Sequence, residues 1–165
     1  NNGIKYNKLI AVFYWIPHLA GVDAEVEHKF RSRLGDLLVN IEEEMAWLYP
    51  PSLINARFLT GVYGQMDLVL GMRGHANIIP FGQEVPFLAL GSHDKNRFFL
   101  EQIGKPENIF DAVRDSKNSN IDYLLGSLNR LMRETAALKL QYRMKFKELS
   151  LAADAFDRKV AELMS

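Results

Sequence analysis

The sequence predicts an α/β fold in which a parallel sheet is flanked by helices and a long helix ends the chain. Three observations support this prediction. Residues 9–15 form a continuous apolar run, rich in β-formers, that is typical of a central strand buried on both faces. Residues 67–95 alternate short apolar runs and polar turns around one helical segment, as in a βαβ unit. After residue 119 the apolar residues recur at helical spacing.

The composition is that of an ordinary globular chain, and it excludes several classes of function. The 165 residues suffice for one domain with a sizeable core, and 48% of them are hydrophobic. Twenty basic residues balance twenty acidic ones, so no global field favours nucleic acid or a membrane surface. The absence of cysteine excludes disulfides and thiolate catalysis. No apolar stretch approaches the roughly 20 residues that span a bilayer, and no signal peptide is visible, so we expect a cytoplasmic protein without a transmembrane segment.

The first third of the chain predicts a strand, a long helix and a second short strand. The strand over residues 9–15 is followed by His18. Asp23 is the expected N-cap of a helix that continues to residue 48, because apolar residues recur there at steps of three and four. Pro50 and Pro51 end this helix. Residues 57–60 are predicted as a short strand.

The middle of the chain predicts two strands, two helices and an edge strand. Residues 68–70 and 87–90 are the apolar runs expected to form neighbouring strands, with a helix over about residues 76–81 between them. A second helix is predicted over residues 97–103, where a glycine and a proline then stop it. Residues 108–110 are the candidate edge strand.

Charged and polar side chains follow both strands of this βαβ unit. Arg73 and His75 come after the first strand, and the second is followed by Ser92, His93, Asp94 and Lys95. Ligands of open α/β sheets bind outside the carboxyl ends of the strands, where helix N-termini favour anions. The pattern therefore predicts a site for a small, strongly anionic ligand, although ordinary solvated loops would have the same spacing.

The end of the chain predicts a long helix with a joint near residues 133–135. Ser119 and Asp122 form a capping-box variant at its start. Beyond the joint, apolar residues follow an a/d register: Tyr142, Phe146, Leu149, Ala153, Phe156, Val160 and Leu163. This stripe either packs on its own domain or stays exposed as a candidate homodimer interface.

The central stretch also resembles the carboxyl-terminal domain of the polysaccharide pyruvyl transferase family. The matching features are the strand with its terminal glycine at residues 67–71, the triplet Arg73-Gly74-His75, the glycine-to-proline entry at residues 82–86, and Lys95. The best match covers about residues 65–111. The ordered set is moderately specific, whereas the Arg-x-His triplet alone is weak.

The resemblance implies the carboxyl-terminal half of a GT-B-like fold, in which each of two domains is Rossmann-like. Residues 1–118 would be a partial Rossmann-like domain that carries the donor site, and residues 119–165 a helical extension. We accordingly expect the chain to be a fragment that is inactive alone, because the cleft of such folds lies between two domains.

The resemblance also implies the chemistry. The donor would be phosphoenolpyruvate, the acceptor a sugar or lipid-linked saccharide, and the product a pyruvate ketal on a cell-surface polysaccharide or exopolysaccharide. His75 would be the general acid, with Arg73 and Lys95 binding the donor. His18 and Ser92 are candidate residues of the same ligand edge. No cofactor is implied, and the four histidines show no metal-ligand spacing.

Two other functions fit the same pattern. A glycosyltransferase with a nucleotide-sugar donor would use Arg73 and Lys95 to hold the diphosphate. A non-catalytic sugar-binding or assembly module would use the terminal helix and would bind no small anion at these residues. A response to phosphoenolpyruvate, to a nucleotide-sugar or to neither separates the three.

Overall fold

The structure, a computed structural model, describes residues 13–16, 24–46, 56–91, 93–111 and 121–164. The chain divides into two units, Asn1–Asn55 and Ala56–Ser165, and each is described by itself. Both units contain parallel strands joined by helices. The architecture is therefore α/β, as predicted, with a small parallel sheet, flanking helices and a long C-terminal helix.

The first unit contains a pair of parallel strands. β1 (Phe13–Trp15) is the described part of the predicted first strand, and it pairs with β2 (Leu38–Asn40). α1 (Ala24–Leu34) connects the two strands, and α2 (Ile41–Ala46) follows the second. The prediction of one continuous helix from Asp23 to residue 48 is therefore wrong.

The predicted helix is interrupted at Gly35. This residue has φ +55°, in the left-handed region that glycine adopts readily, and it opens one turn of 3-10 helix, Gly35–Leu37. Leu38 and Asn40 are then buried while Val39 is half-buried, which is the alternation of a strand. The apolar spacing of so short a run fits a strand as well as a helix, and pairing with β1 decides between them.

The second unit is built on a three-stranded parallel sheet. Its elements to the end of the sheet are α3 (Ala56–Gly64), β3 (Val69–Gly71), α4 (His75–Gly82), β4 (Phe87–Leu90), α5 (Asp94–Gln102) and β5 (Ile109–Phe110). The strand order is β3-β4-β5, with Val69 beside Phe87 and Ala89 beside Ile109. The predicted βαβ unit and the predicted edge strand are confirmed.

α3 replaces the strand that was predicted over residues 57–60. The helical pattern continues past this window, because Leu59 and Tyr63 are four residues apart and Tyr63 is buried. Four residues taken alone show too little of this period to exclude a strand.

β4 is the centre of the core. Phe87, Leu88 and Ala89 are fully buried, as expected for a middle strand covered on both faces. Tyr142, from the terminal helix, contacts the ring of Phe87 at 5.7 Å and that of Phe81 at 5.4 Å between centroids. These aromatic contacts bury large apolar surfaces and so hold the terminal helix on the sheet.

The two last helices are α6 (Ile121–Arg133) and α7 (Thr135–Met164), which confirms the predicted joint. Leu131, Leu138 and Tyr142 are buried, so α6 and the start of α7 belong to the same core as the sheet. Every described residue after residue 150 is exposed. None of the described helices combines the length and the apolar character needed to cross a membrane.

Tyr142 also ends a buried polar network. Arg130 donates through Nη2 to Asn108 Oδ1 at 2.7 Å, and Asn108 donates through Nδ2 to the Tyr142 hydroxyl at 3.2 Å. Burial raises the pKa of Tyr142, because the phenolate would lose its hydration inside the core. The folded chain therefore keeps this phenol protonated at pH values where the unfolded chain ionises it.

We expect the buried phenol of Tyr142 to make the protein less stable at alkaline pH. Above the ordinary tyrosine pKa of 10.0 only the unfolded state releases this proton, so the free energy of unfolding falls as the pH rises. The slope from one such group is at most about 1.4 kcal/mol per pH unit. Tyr142→Phe should remove this contribution, and at neutral pH it should cost about 1–2 kcal/mol because Asn108 Nδ2 loses its acceptor.

Urea unfolding of both proteins near pH 7 and near pH 11 measures the two effects. The two proteins share every other side chain, so the difference between their alkaline losses of stability reports Tyr142. Equal alkaline losses in the wild type and in Tyr142→Phe would contradict the assignment.

Candidate functional site

The candidate site is the edge of the sheet where β3 and β4 end. Adjacent strands of a sheet lie about 4.8 Å apart, so the loops that leave their carboxyl ends are neighbours. The loop after β3 leads into α4, and the loop after β4 leads into α5. Two helix N-termini with their unpaired N–H groups therefore open at the same edge.

Arg73 and His75 both follow β3, but only one of them lies in a helix. Arg73 lies in the loop and is exposed, whereas His75 is the first residue of α4 and is also exposed. Gly74 is the N-cap, and its carbonyl accepts from the N–H groups of Asn77 and Ile78 at 3.0 and 2.9 Å. Because only His75 is helical, the geometry that separates residues two apart on a helix does not apply to this pair.

The loop after β4 presents Lys95 in a similar place. Gly91 turns the chain with φ +102°, and His93 is the extended N-cap of α5. Lys95 is the second residue of that helix and is exposed. Two further predicted site residues, His18 and Ser92, lie outside the described residues.

A buried pair of asparagines joins the first turns of the two helices. Asn77 is the third residue of α4 and Asn96 the third residue of α5, and both are buried. Asn77 donates through Nδ2 to Asn96 Oδ1 at 3.2 Å. Within the described residues, Asn77 Oδ1 and Asn96 Nδ2 have no hydrogen-bond partner. The bond fixes the first turn of α4, which begins at His75, beside the turn that carries Lys95.

A carboxylate follows the third strand of the sheet at the same edge. Asp111 comes directly after β5 and is 1% exposed, and Arg97 of α5 donates to its Oδ2 from Nη2 at 2.7 Å. Burial of a carboxylate is costly unless a cation compensates it, and Arg97 supplies that charge. The buried negative charge of Asp111 is thus neutralised locally by Arg97.

Sequence reasoning identified the exposed cations but not the buried polar residues that arrange them. The sequence alone gives no role to Asn77, Asn96, Arg97 or Asp111. Asparagine is the third residue of both α4 and α5, but the predicted helices begin at residues 76 and 97, so the sequence did not show this repeat. In the described ranges, no three His, Asp or Glu side chains are grouped so that they could hold a metal ion.

Comparisons with protein-family models, with curated proteins and with solved structures gave no match. The chemistry of the edge therefore has to be argued from its own residues. They include four exposed basic side chains, Arg73, His75, His93 and Lys95, and one exposed carboxylate, Asp94, at two joined helix N-termini.

Proposed function

We propose that this protein is a polysaccharide pyruvyl transferase of GT-B-like architecture. It would transfer a pyruvyl group from phosphoenolpyruvate to two hydroxyls of a sugar in a cell-surface polysaccharide or exopolysaccharide. The observation that carries the proposal is the placement of Arg73 just before α4, and of His75 and Lys95 in the first turns of α4 and α5, two helices that are bonded through Asn77 and Asn96. The ordered resemblance over residues 65–111 supports the same function.

The charges of the edge suit a donor with two anionic groups. Phosphoenolpyruvate carries a carboxylate and a phosphate. The planar fork of Arg73 matches either group in a bidentate way, and Lys95 supplies a compact charge for the other. Each helix N-terminus adds about half a positive charge and free N–H donors. Because Arg97 already compensates Asp111, that carboxylate does not oppose the binding of an anion.

The reaction needs a proton as well as a binding site. Two C–O bonds form at the central carbon of the donor, while the O–H bonds of the two sugar hydroxyls and the bond from that carbon to the phosphate oxygen break. The methylene carbon takes up one proton to become a methyl group, and the other proton leaves with the phosphate. Imidazole titrates near neutral pH and can deliver such a proton. His75 is the candidate acid, because it lies exposed at the start of α4, at the edge of the sheet where the donor is proposed to bind.

A ligand titration followed by amide NMR tests the donor site. Addition of phosphoenolpyruvate is expected to shift resonances of residues 72–76 and 93–96, with a nucleotide-sugar giving smaller or no shifts there. Arg73→Gln and Lys95→Gln should each weaken this binding by about ten-fold, the loss expected for one charge-assisted interaction. Arg133→Gln is the matched control, since Arg133 is an exposed arginine on α6, away from the edge loops.

Each outcome of the titration favours one function. Shifts that appear with the nucleotide-sugar alone would favour a glycosyltransferase. The absence of any response to either ligand would favour the non-catalytic module. Equal losses of affinity in Arg73→Gln and in the Arg133→Gln control would show general charge attraction rather than a donor site.

A further inference from the structure

The two buried asparagines of the candidate site each leave one side-chain atom without a partner. Asn77 is 0% and Asn96 2% exposed, and the bond between them uses Nδ2 of the first and Oδ1 of the second. Within the described residues, Asn77 Oδ1 and Asn96 Nδ2 remain without a hydrogen bond. Buried amide atoms of folded proteins nearly always have a partner, so each of these two atoms needs its own explanation.

The free oxygen of Asn77 lies against the end of β3. A Cβ on Gly71 would collide with this oxygen, so the amide of Asn77 extends from β3 at one end to Asn96 at the other. The hydrogen that Gly71 carries in place of a Cβ therefore lies close to the oxygen and can act as a weak C–H donor. No ligand is needed to explain this atom.

The free nitrogen of Asn96 is different, because it is a donor in the first turn of α5. Asn96 is the third residue of this helix, and helical side chains lean towards the helix N-terminus. Its amide is therefore directed towards the turn that carries Lys95. The next residue, Arg97, has a buried Nε–H that also lacks a partner among the described residues. Both unpartnered groups of this turn are donors, which suits an anionic ligand.

We propose that Asn96 is a ligand-binding residue whose Nδ2 donates to an oxygen of a phosphate group bound at the N-terminus of α5. Binding of inorganic phosphate there is independent of the pyruvyl transferase assignment. For phosphoenolpyruvate the inference rests on the proposed function, and it places the phosphate beside Lys95 and the carboxylate beside Arg73. Asn77 is then a positioning residue, because its bond to Asn96 Oδ1 turns Nδ2 of the same amide away from α4.

Charge and geometry favour the phosphate at α5. Lys95 supplies a compact positive charge, and the start of the helix adds its partial charge and N–H groups that have no intrahelical partner. The planar fork of Arg73 matches the planar carboxylate better. Among residues 72–75 and 93–96, Asp94 is the one carboxylate, against the two permanent cations, so the balance of charge stays positive.

The Asn96 Nδ2 atom is enclosed in the structure, so an anion reaches it only when neighbouring side chains move. The three preceding residues, His93, Asp94 and Lys95, are all exposed. Exposed side chains change rotamer within nanoseconds, and such changes are common when a ligand binds. We therefore expect the backbone of α5 to stay in place while the side chains of its first turn rearrange around the anion.

NMR of the full chain with inorganic phosphate observes the proposed donor directly. The side-chain NH2 of Asn96 gives its own pair of signals, which are assigned by their loss in Asn96→Asp. One of the two protons should move downfield, because a hydrogen bond to an anion deshields it. The NH2 of Asn77 is the internal reference, since it already donates to Asn96 and should move less. The titration extends to about 50 mM, because a few charge-assisted bonds give a Kd on the order of 1–10 mM.

A variant of the donor tests its contribution to affinity. Asn96→Asp keeps the oxygen that accepts from Asn77 and replaces the donor by a second oxygen. It should raise the Kd for phosphate by at least about ten-fold, through the lost bond and the added like charge. Gln102→Glu is the matched control. It makes the same amide-to-carboxylate change at the exposed last residue of α5, about 9 Å further along the helix, and should stay within about two-fold of the wild type.

Three results would overturn the proposal. Phosphate that shifts the backbone amides of residues 93–96 but not the Asn96 NH2 would show an anion site without this donor. A chain that does not respond to phosphate would have no such site, and an equal Kd in Asn96→Asp and Gln102→Glu would show that the donor is not used. The proposed function fails on a different result, in which the Asn96 NH2 responds but phosphoenolpyruvate binds no more tightly than phosphate.

Discussion

Replacing His75 by alanine is expected to lower the turnover of pyruvyl transfer by about 10²–10⁴-fold, the usual contribution of a general acid. Binding of phosphoenolpyruvate to the variant should remain measurable, because Arg73 and Lys95 supply the charges that hold the donor. Turnover is measured as phosphate release in a preparation that shows the activity, and binding by the amide titration described above. A variant that loses turnover but still binds the donor identifies a proton donor rather than a binding residue.

The position of His75 gives the physical reason for this expectation. As the first residue of α4 it is exposed, whereas Asn77, two residues further on, is buried against α5. Residues two apart on a helix point to different faces, so an inward Asn77 implies an outward His75. The imidazole thus faces the solvent side of the edge, where the donor has to lie.

His93→Ala is the matched control for this prediction. His93 is also exposed and also stands at the start of a helix, as the N-cap of α5. The proposal gives it no part in proton transfer, so its variant should keep turnover within about three-fold of the wild type. If His75→Ala retained turnover and His93→Ala lost it, the assignment of the acid would be wrong.

The parts of the fold that the sequence predicts are those whose apolar runs are bounded by glycine or proline. β3, α4 and β4 are each delimited by residues such as Gly71, Gly82 and Pro86, so local pattern and tertiary structure agree. Prediction from sequence fails where pairing with another strand determines the secondary structure. Residues 38–40 form β2 because β1 lies beside them, and their spacing alone fits a helix equally well.

In the candidate site, too, the sequence predicts some residues and not others. Arg73, His75 and Lys95 could be placed at the edge from sequence, because they lie within five residues after the apolar runs that predict β3 and β4. Asn77 and Asn96 could not, since a polar residue in the first turn of a helix is normally solvated. Their burial depends on the packing of α4 beside α5, which brings Asn77 Nδ2 to 3.2 Å from Asn96 Oδ1. Each amide has one atom without a partner among the described residues. Such contacts are properties of the packed structure, not of a local window.

Gly71→Ala is expected to lower the free energy of unfolding of the second unit by about 2–4 kcal/mol, from overpacking and from disturbance of the Asn77–Asn96 bond. A Cβ at Gly71 would collide with Oδ1 of Asn77 and would lie 2.8 Å from the carbonyl carbon of Ala76. The carbonyl belongs to the backbone of α4, so it can move only if the whole helix moves. A Cβ at Gly71 would therefore either separate β3 from α4 or displace Asn77 from Asn96.

Gly74→Ala is the control, three residues away in the same loop. Its Cβ would meet nothing within 4 Å, and its φ of −51° and ψ of −50° are ordinary for alanine. We expect Gly74→Ala to be neutral or to stabilise by up to about 1 kcal/mol, through a smaller entropy of the unfolded chain.

The measurement has to report on the second unit. Both tryptophans, Trp15 and Trp47, precede residue 56, so tryptophan fluorescence follows the first unit. Far-UV circular dichroism and hydrogen exchange of the β4 amides follow the second. Equal midpoints for the two alanine variants would mean that β3 and α4 can separate without cost. In that case the close approach at Gly71 could not be what holds the start of α4, with His75, at the edge of the sheet.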